Sequence, residues 1–224
     1  MDELYESKTK EAYRSADKAA AYDRQLRGLT WMRFTMWRET QAVRAALRGC
    51  GLSPGAKVLD LPCGSGVLAD LFATEPYDVV GADISLEMIQ IARQYYETDR
   101  TKGFVNADAL HLPFYPESFD CVAAIGFFHR LPPAIRRKAL ASLRRVSRGW
   151  LIASFSLDGV GRRMKLALLR VLRPNFASAP APVHLRQLKE ELDLEGWRIV
   201  RRWTVAPLLS SESVFLLRRM TRSE

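Results

Sequence analysis

Apolar residues recur along this chain in two different periods. From about Lys10 to Leu47 they fall at helical spacing (Ala20, Leu26, Trp31, Phe34, Trp37, Val43, Leu47), with a break near Gly28-Leu29-Thr30. That pattern predicts a pair of N-terminal helices. Gly49, Gly51 and a Ser53-Pro54-Gly55 turn then interrupt, and the period shortens. Apolar runs at Lys57–Leu61, Asp78–Asp83, Gly103–Asn106, Phe119–Ile125 and Trp150–Phe155 predict strands, and helical patterns at Val67–Ala73, Leu86–Tyr96 and Pro133–Val146 lie between most of them. Strands alternating with helices predict an α/β fold with a parallel sheet covered on both faces.

Past Asp158 the pattern changes. A basic helical stretch, Gly161–Leu172, is followed by a Pro/Ala/Ser-rich loop, Pro174–Pro182, and a helix from about His184 to Leu194. Two strand candidates, Trp197–Val205 and Ser213–Arg219, close the chain, and there is no internal repeat.

Composition narrows the class. With 224 residues, 48% of them hydrophobic, the chain is long enough for one domain with a full core. No apolar run approaches the ~20 residues that span a bilayer, and the start, Met1-Asp2-Glu3-Leu4-Tyr5-Glu6, is acidic where a signal peptide is basic and then apolar. The expectation is a cytoplasmic protein. Cys50, Cys63 and Cys121 are isolated and there are three His in all, which supports neither a disulfide framework nor a metal site. Charge is uneven: residues 1–129 hold 14 Lys and Arg against 18 Asp and Glu, and residues 130–224 hold 20 against 7. A basic half attracts anionic substrates, nucleic acid or a membrane surface, or is simply a set of solvated helix faces.

The chemistry begins at Val58-Leu59-Asp60-Leu61-Pro62-Cys63-Gly64-Ser65-Gly66, an apolar strand that ends in an acid and turns at once through two glycines. Such a strand–turn–helix lets a ligand approach bare backbone at the helix start. Asp83 follows at the spacing expected of an acid that accepts hydrogen bonds from ribose hydroxyls, in Val79-Val80-Gly81-Ala82-Asp83-Ile84-Ser85. The competing role, capping the next helix, falls equally well to Ser85. Asp60 beside the turn would repel a pyrophosphate and suits a cationic ligand.

These residues resemble the class I S-adenosylmethionine-dependent methyltransferases, of the small-molecule type. Val58–Gly66 is similar to that family's first motif and Val79–Ser85 to its acidic second motif. Asn106-Ala107-Asp108-Ala109-Leu110-His111-Leu112-Pro113-Phe114 resembles the third, and Phe119 through Pro132 resembles the fourth. The resemblance implies a Rossmann-like, doubly wound, mostly parallel seven-stranded sheet with helices on both faces and an antiparallel last strand. It implies one methyltransferase domain over 1–224: an N-terminal helical cap (1–50), a cofactor-binding core (57–156), a lid insertion (157–183) and a C-terminal helix with closing strands (184–224).

It also implies S-adenosyl-L-methionine as cofactor and a role for each matched position. Gly64 and Gly66, with the backbone of Pro62 and Cys63, would pass under the methionine part. Asp60 would orient the amino group and Asp83 would hold the ribose diol. Ile84 and Met88 would pack on adenine, with Asp108 and the Ala109 N–H at its edge. Ile125 and Gly126 would line the passage where the methyl group emerges, and Asp120 would shape the start of the fourth strand.

The activity expected is in-line methyl transfer to oxygen, nitrogen or carbon of a small-molecule or lipid-linked metabolite, which depends chiefly on positioning. His129, just past the fourth strand, is the candidate base; the other reading of it is structural or substrate-lining. Among residues of the added segments and of the fourth motif, Tyr22, Arg33 and Arg130 are the candidates for the substrate side, since their polar tips are costly to bury alone. Tyr13, Trp31 and Trp37 could also close the pocket or be plain core. The helix Gly161–Arg173 fits either a lid or a membrane-lying segment, so an anionic or membrane-associated acceptor and a peripheral location stay open. Two alternatives remain: an RNA methyltransferase, disfavoured because Phe128-His129-Arg130-Leu131 stands where an Asn-Pro-Pro-Tyr-type motif would, and a non-catalytic cofactor-binding scaffold. Oligomeric state and pathway are not readable.

Overall fold

The computed structural model describes residues 15–28, 30–158, 182–206 and 211–221. The expected alternation is present: helices α1 (Ala16–Gly28) and α2 (Thr30–Cys50), then β1 (Lys57–Asp60), α3 (Ala69–Thr74), β2 (Asp78–Asp83), α4 (Leu86–Ala92), β3 (Thr101–Asn106) and β4 (Phe119–Ala124). A 3₁₀ turn (Phe128–Arg130), α5 (Pro133–Val146), β5 (Ser147–Ser156), α6 (Leu185–Leu194), β6 (Trp197–Thr204) and β7 (Glu212–Arg219) follow. The basic stretch Gly161–Leu172, most of the loop after it, Tyr13 and the Trp31 side chain lie outside the described residues.

One seven-stranded sheet has the order β3-β2-β1-β4-β5-β7-β6. The first five strands are parallel, with Val58 opposite both Val79 and Cys121, and β7 runs antiparallel between β5 and β6. This is the doubly wound architecture with its antiparallel last strand. Because both faces are covered, the central strands are apolar through their middles, with charged residues only towards their ends. Val58, Cys121, Ala123 and Ile152 face one core with α2, α3 and α4; Leu59, Val122, Leu151 and Ala153 face the other with α5 and α6. A bidentate ion pair, Arg136 to Glu191 at 2.7 and 2.8 Å, joins α5 to α6 in the second core.

From β1 onwards, two boundaries differ from expectation by three residues or more, the other described ones by two at most. The helix read over Leu86–Tyr96 ends at Ala92, and Tyr95 and Tyr96 sit in the turn that follows. Strand β5 extends to ten residues because Ser147–Gly149 continue it towards α5. His184 occupies the N-cap position of α6, but its side chain makes no capping bond; its Nε2 lies 3.5 Å from Asp158.

Much of the basic half holds the fold together. Arg144 donates to the Gly196 and Met220 carbonyls, and Arg145 to those of Leu112 and Phe114. Arg137 pairs with Glu195, Arg148 with Asp120 and Arg219 with Glu117.

Candidate functional site

The site lies at the carboxyl edge of β1, β2 and β4, where ligands of open α/β sheets are held. Strand β1 delivers Asp60, and the chain turns through Gly64 and Gly66 into α3. Both glycines have positive φ, 52° and 82°. A side chain on Gly66 would meet the Ala92 Cα at 3.2 Å, so the turn lies flat against the end of α4 only as glycine.

Asp83 is 6% exposed. Its Oδ2 accepts the Gly64 N–H and its Oδ1 the Ser85 N–H, each at 2.9 Å. The Ser85 hydroxyl accepts from the Met88 N–H, so Ser85 caps α4 and Asp83 is left for the cavity. Burial raises the Asp83 pKa while the backbone bonds and Arg130 pull against it.

Asp60 is 2% exposed and accepts from the Tyr96 hydroxyl at 2.5 Å. Burial pushes its pKa up to about 7; the Tyr96 bond lowers it and the Asp83 charge adds to the rise.

These groups open into a cavity of about 190 Å³. Its floor is Asp60, Pro62, Cys63, Gly64, Ser65 and Asp83, one wall is Ile84 and Met88, and the opposite wall is Ile125, Gly126, Phe127 and Arg130. Tyr22 and Leu26 of α1, with Met36 and Glu39 of α2, form the roof. The Arg130 guanidinium donates to the Tyr22 hydroxyl at 3.1 Å, linking roof to wall.

Of the candidate cofactor, substrate-side and base residues, Gly66, Asp108, Ala109, Arg33 and His129 are not among its lining. Gly66 supports the turn from beneath. The Asp108 carboxylate accepts the Leu110 N–H at 3.0 Å, and Ala109 is buried in the core. Arg33 lines a neighbouring groove with Trp37 and Arg44. His129 lies behind Arg130: its Nε2 accepts from the Arg130 Nε–H at 3.3 Å, and its Nδ1 is 3.5 Å from Glu212. Burial, then the Arg130 charge, lowers its pKa to about 4, so the imidazole is neutral near pH 7. Asp120, read as shaping the start of β4, accepts the Lys57 N–H and an Arg148 N–H.

Four residues of the site were not foreseen. Tyr96 stands at the end of the helical pattern Leu86–Tyr96, with nothing in the sequence to set its hydroxyl apart. Glu39 breaks an apolar helix face, three and four residues before the buried Ala42 and Val43, and a lone acid there was a signal to follow. Ser154 and Glu212 come from strands whose sequence shows nothing but β pattern.

Comparison with known proteins agrees with this geometry. A methyltransferase-domain family profile matches residues 58–149. A demethylmenaquinone methyltransferase of Thermotoga maritima is 32% identical over 190 residues, 84% of this chain and 73% of that protein. An O-methyltransferase of Pyrenophora dematioidea is 36% identical over 156 residues, 66% of this chain and 56% of that one. The chain spans 42% to 56% of the length of four of the curated relatives it matches, this fungal protein among them. The magnesium protoporphyrin IX methyltransferase of Synechocystis PCC 6803, solved with bound S-adenosylhomocysteine, superposes with a TM-score of 0.75 at 20% identity over 94% of this chain and 98% of that one, which is a likeness of fold. With the Thermotoga protein matched across most of both chains, the protein belongs to the class I S-adenosylmethionine-dependent methyltransferases.

Proposed function

We propose that the protein transfers a methyl group from S-adenosylmethionine to a small-molecule acceptor. The observation that carries this reading is the convergence of Asp60, Asp83, Gly64 and Gly126 on one cavity. Its chemistry fits the cofactor. Two buried carboxylates suit a ligand bearing sulfonium and ammonium charges, and the apolar Ile84 and Met88 suit a purine. The Ser65 hydroxyl, buried and without a hydrogen-bond partner among the described residues, is a polar atom left for a ligand.

In this reading Asp83 holds the ribose diol, its position fixed by the Gly64 and Ser85 N–H groups, and Asp60 orients the amino end. The bound sulfonium supplies an already activated methyl electrophile, so the chain's task is to align the acceptor and exclude water. Ile125, Gly126 and Phe127 form the wall along which the acceptor is aligned. Asp108 and Ala109 belong to the adenine end and His129 to the support of the acceptor end.

A small aromatic or quinone-type acceptor fits the named activities of the relatives, a demethylmenaquinone methyltransferase and ubiquinone biosynthesis O-methyltransferases among them. Delivery from a membrane surface is the finer reading. It is supported by Phe34 and Trp37, 45% and 54% exposed on α2 beside the exposed Arg33. The arginines spent on carbonyls and carboxylates of the fold weigh against a nucleic-acid acceptor.

Calorimetric titration with S-adenosylmethionine and S-adenosylhomocysteine, on the protein and on Asp83→Ala, tests the reading. Micromolar binding lost in the variant is the expected result; no heat with either ligand overturns it.

A further inference from the structure

At the acceptor end of the cavity a second acidic pair is assembled from distant parts of the chain. Glu39 projects from α2 into the cavity, and its Oε1 is buried with no hydrogen-bond partner among the described residues. The other side of its carboxyl group takes a hydrogen bond from Ser154 of β5. The Ser154 Oγ in turn accepts the Gly126 N–H at 2.8 Å. Glu39 is therefore tied, through one hydroxyl, to the backbone at the end of β4. Glu212, at the start of β7, is close enough for its charge to act on Glu39, and it lies 3.5 Å from the His129 imidazole.

We propose that Glu39 accepts the proton of the acceptor's reactive group, and that this group is a proton-bearing hydroxyl rather than a carboxylate. The inference rests on the methyltransferase reading and deepens it. With Glu39 ionised, as a base must be, a carboxylate acceptor would add a further negative charge beside Glu39 and Glu212 in a largely apolar cavity, where like charges are costly. A hydroxyl instead donates to the one carboxylate oxygen that lacks a partner. As its oxygen forms the new bond to the methyl carbon, the O–H bond breaks and the proton passes to Glu39 Oε1. The electron pair of the broken C–S bond stays on sulfur, leaving a neutral thioether, and the products are a methyl ether and a protonated Glu39 that returns its proton to water.

The surrounding groups are arranged for this. Burial, then the Glu212 charge, pushes Glu39 up to about 8, with the Ser154 bond pulling down, which places it near the operating range of a general base. Burial raises Glu212 while Arg130 lowers it. Arg130 also acts on Asp83 and His129, so it is the cation that faces both acidic pairs. His129 has its Nε2 engaged by Arg130 and turns its other nitrogen to Glu212. That arrangement makes it a positioning residue for Glu212.

The test uses two probes of one shape, 4-methylphenol and 4-methylbenzoate, titrated calorimetrically near pH 9, where Glu39 is ionised, into the protein saturated with S-adenosylhomocysteine. A phenol, with an ordinary pKa of about 10, enters neutral and the benzoate enters charged. The phenol should bind about tenfold tighter or better, a difference of about 1.4 kcal/mol, and Glu39→Gln should bring the two to within about threefold. Glu212→Gln should narrow the gap as well, and it carries the comparison if melting curves show Glu39→Gln unfolded. Equal or tighter binding of the benzoate, an unchanged preference in the variants, or no binding of either probe at millimolar concentration overturns the proposal. So does a Glu39→Gln variant that loses S-adenosylhomocysteine and keeps the preference, which would assign Glu39 to the cofactor's ammonium group. Failure of the wild-type protein to bind S-adenosylhomocysteine is a separate outcome and overturns the function reading instead.

Discussion

Asp60 and Asp83 stand on adjacent parallel strands, one at the end of β1 and one at the end of β2, whereas Glu39 and Glu212 come from α2 and from β7, with most of the chain between them. The first pair is held in place by groups nearby: two backbone N–H bonds hold Asp83 and the Tyr96 hydroxyl holds Asp60. The second pair meets only because the sheet is complete, and among the described residues the Glu39 Oε1 is left without a hydrogen-bond partner. A ligand that never changes can be met by a rigid, locally built site. An acceptor that must give up a proton needs a group whose charge is not already committed.

The comparison breaks most readily at Asp83. Asp83→Ala removes the acceptor of two backbone bonds and the proposed ribose contact, and S-adenosylhomocysteine affinity should fall by about a hundredfold, roughly the worth of one or two charge-assisted bonds. Calorimetry reads it. Tyr96→Phe comes next. It leaves the buried Asp60 without its donor, at a cost of about 1–3 kcal/mol, and melting should drop by several degrees at about 2–4 °C per kcal/mol. Since the Tyr96 bond lowers the Asp60 pKa, the variant's Asp60 should titrate above about 7, and the stability loss should be largest on the alkaline side.

The acidic pair at the acceptor end should instead show itself through pH. Folding raises Glu39 from 4.5 to about 8, so the native state keeps a proton that the unfolded chain gives up. The stabilisation this brings is complete below about pH 4.5 and drains away as pH rises to about 8. His129, lowered from 6.5 to about 4, acts in the opposite sense: between those values stability climbs with pH. The Glu39→Gln variant isolates the first effect and should gain in melting temperature relative to wild type between pH 5 and 9. For turnover, the rising limb of kcat with an apparent pKa of about 8 should vanish in the same variant.

Arg130→Gln should have the smallest effect. Without that cation the pKa values of both Glu212 and Asp83 should move up, with S-adenosylhomocysteine affinity down about threefold, in the range of a partly exposed charge. A loss as large as that of Asp83→Ala would mean that the two pairs are one network.

The same contrast explains what the sequence disclosed. Asp60, Gly64 and Asp83 were legible because strand, turn and acid are contiguous and their spacing is set by one βαβ unit. The strands were legible because burial on both faces leaves no polar position in Val58-Leu59 or Cys121-Val122-Ala123-Ala124. Glu212 was not, since its place beside His129 depends on β7 running backwards between β5 and β6, a long-range pairing that no local pattern encodes. Tyr96 was missed for a different reason: an aromatic residue at helical spacing looks like core until its hydroxyl finds Asp60. Asp108, Ala109 and Arg33 show the converse, since a motif or a polar tip at the right place in the sequence ended outside the cavity lining.

The reversed direction of β7 has an evolutionary consequence. An antiparallel strand brings its first residue, not its last, to the edge where the parallel strands end, so Glu212 stands at that edge, opposite Ser156 and beside His129, where its charge acts on Glu39. Substitution at that single position would alter the charge that acts on Glu39 without touching Asp60, the glycine turn or Asp83. On the proposed reading, one strand end can thus retune the acceptor side by drift while the cofactor's half of the cavity is inherited intact.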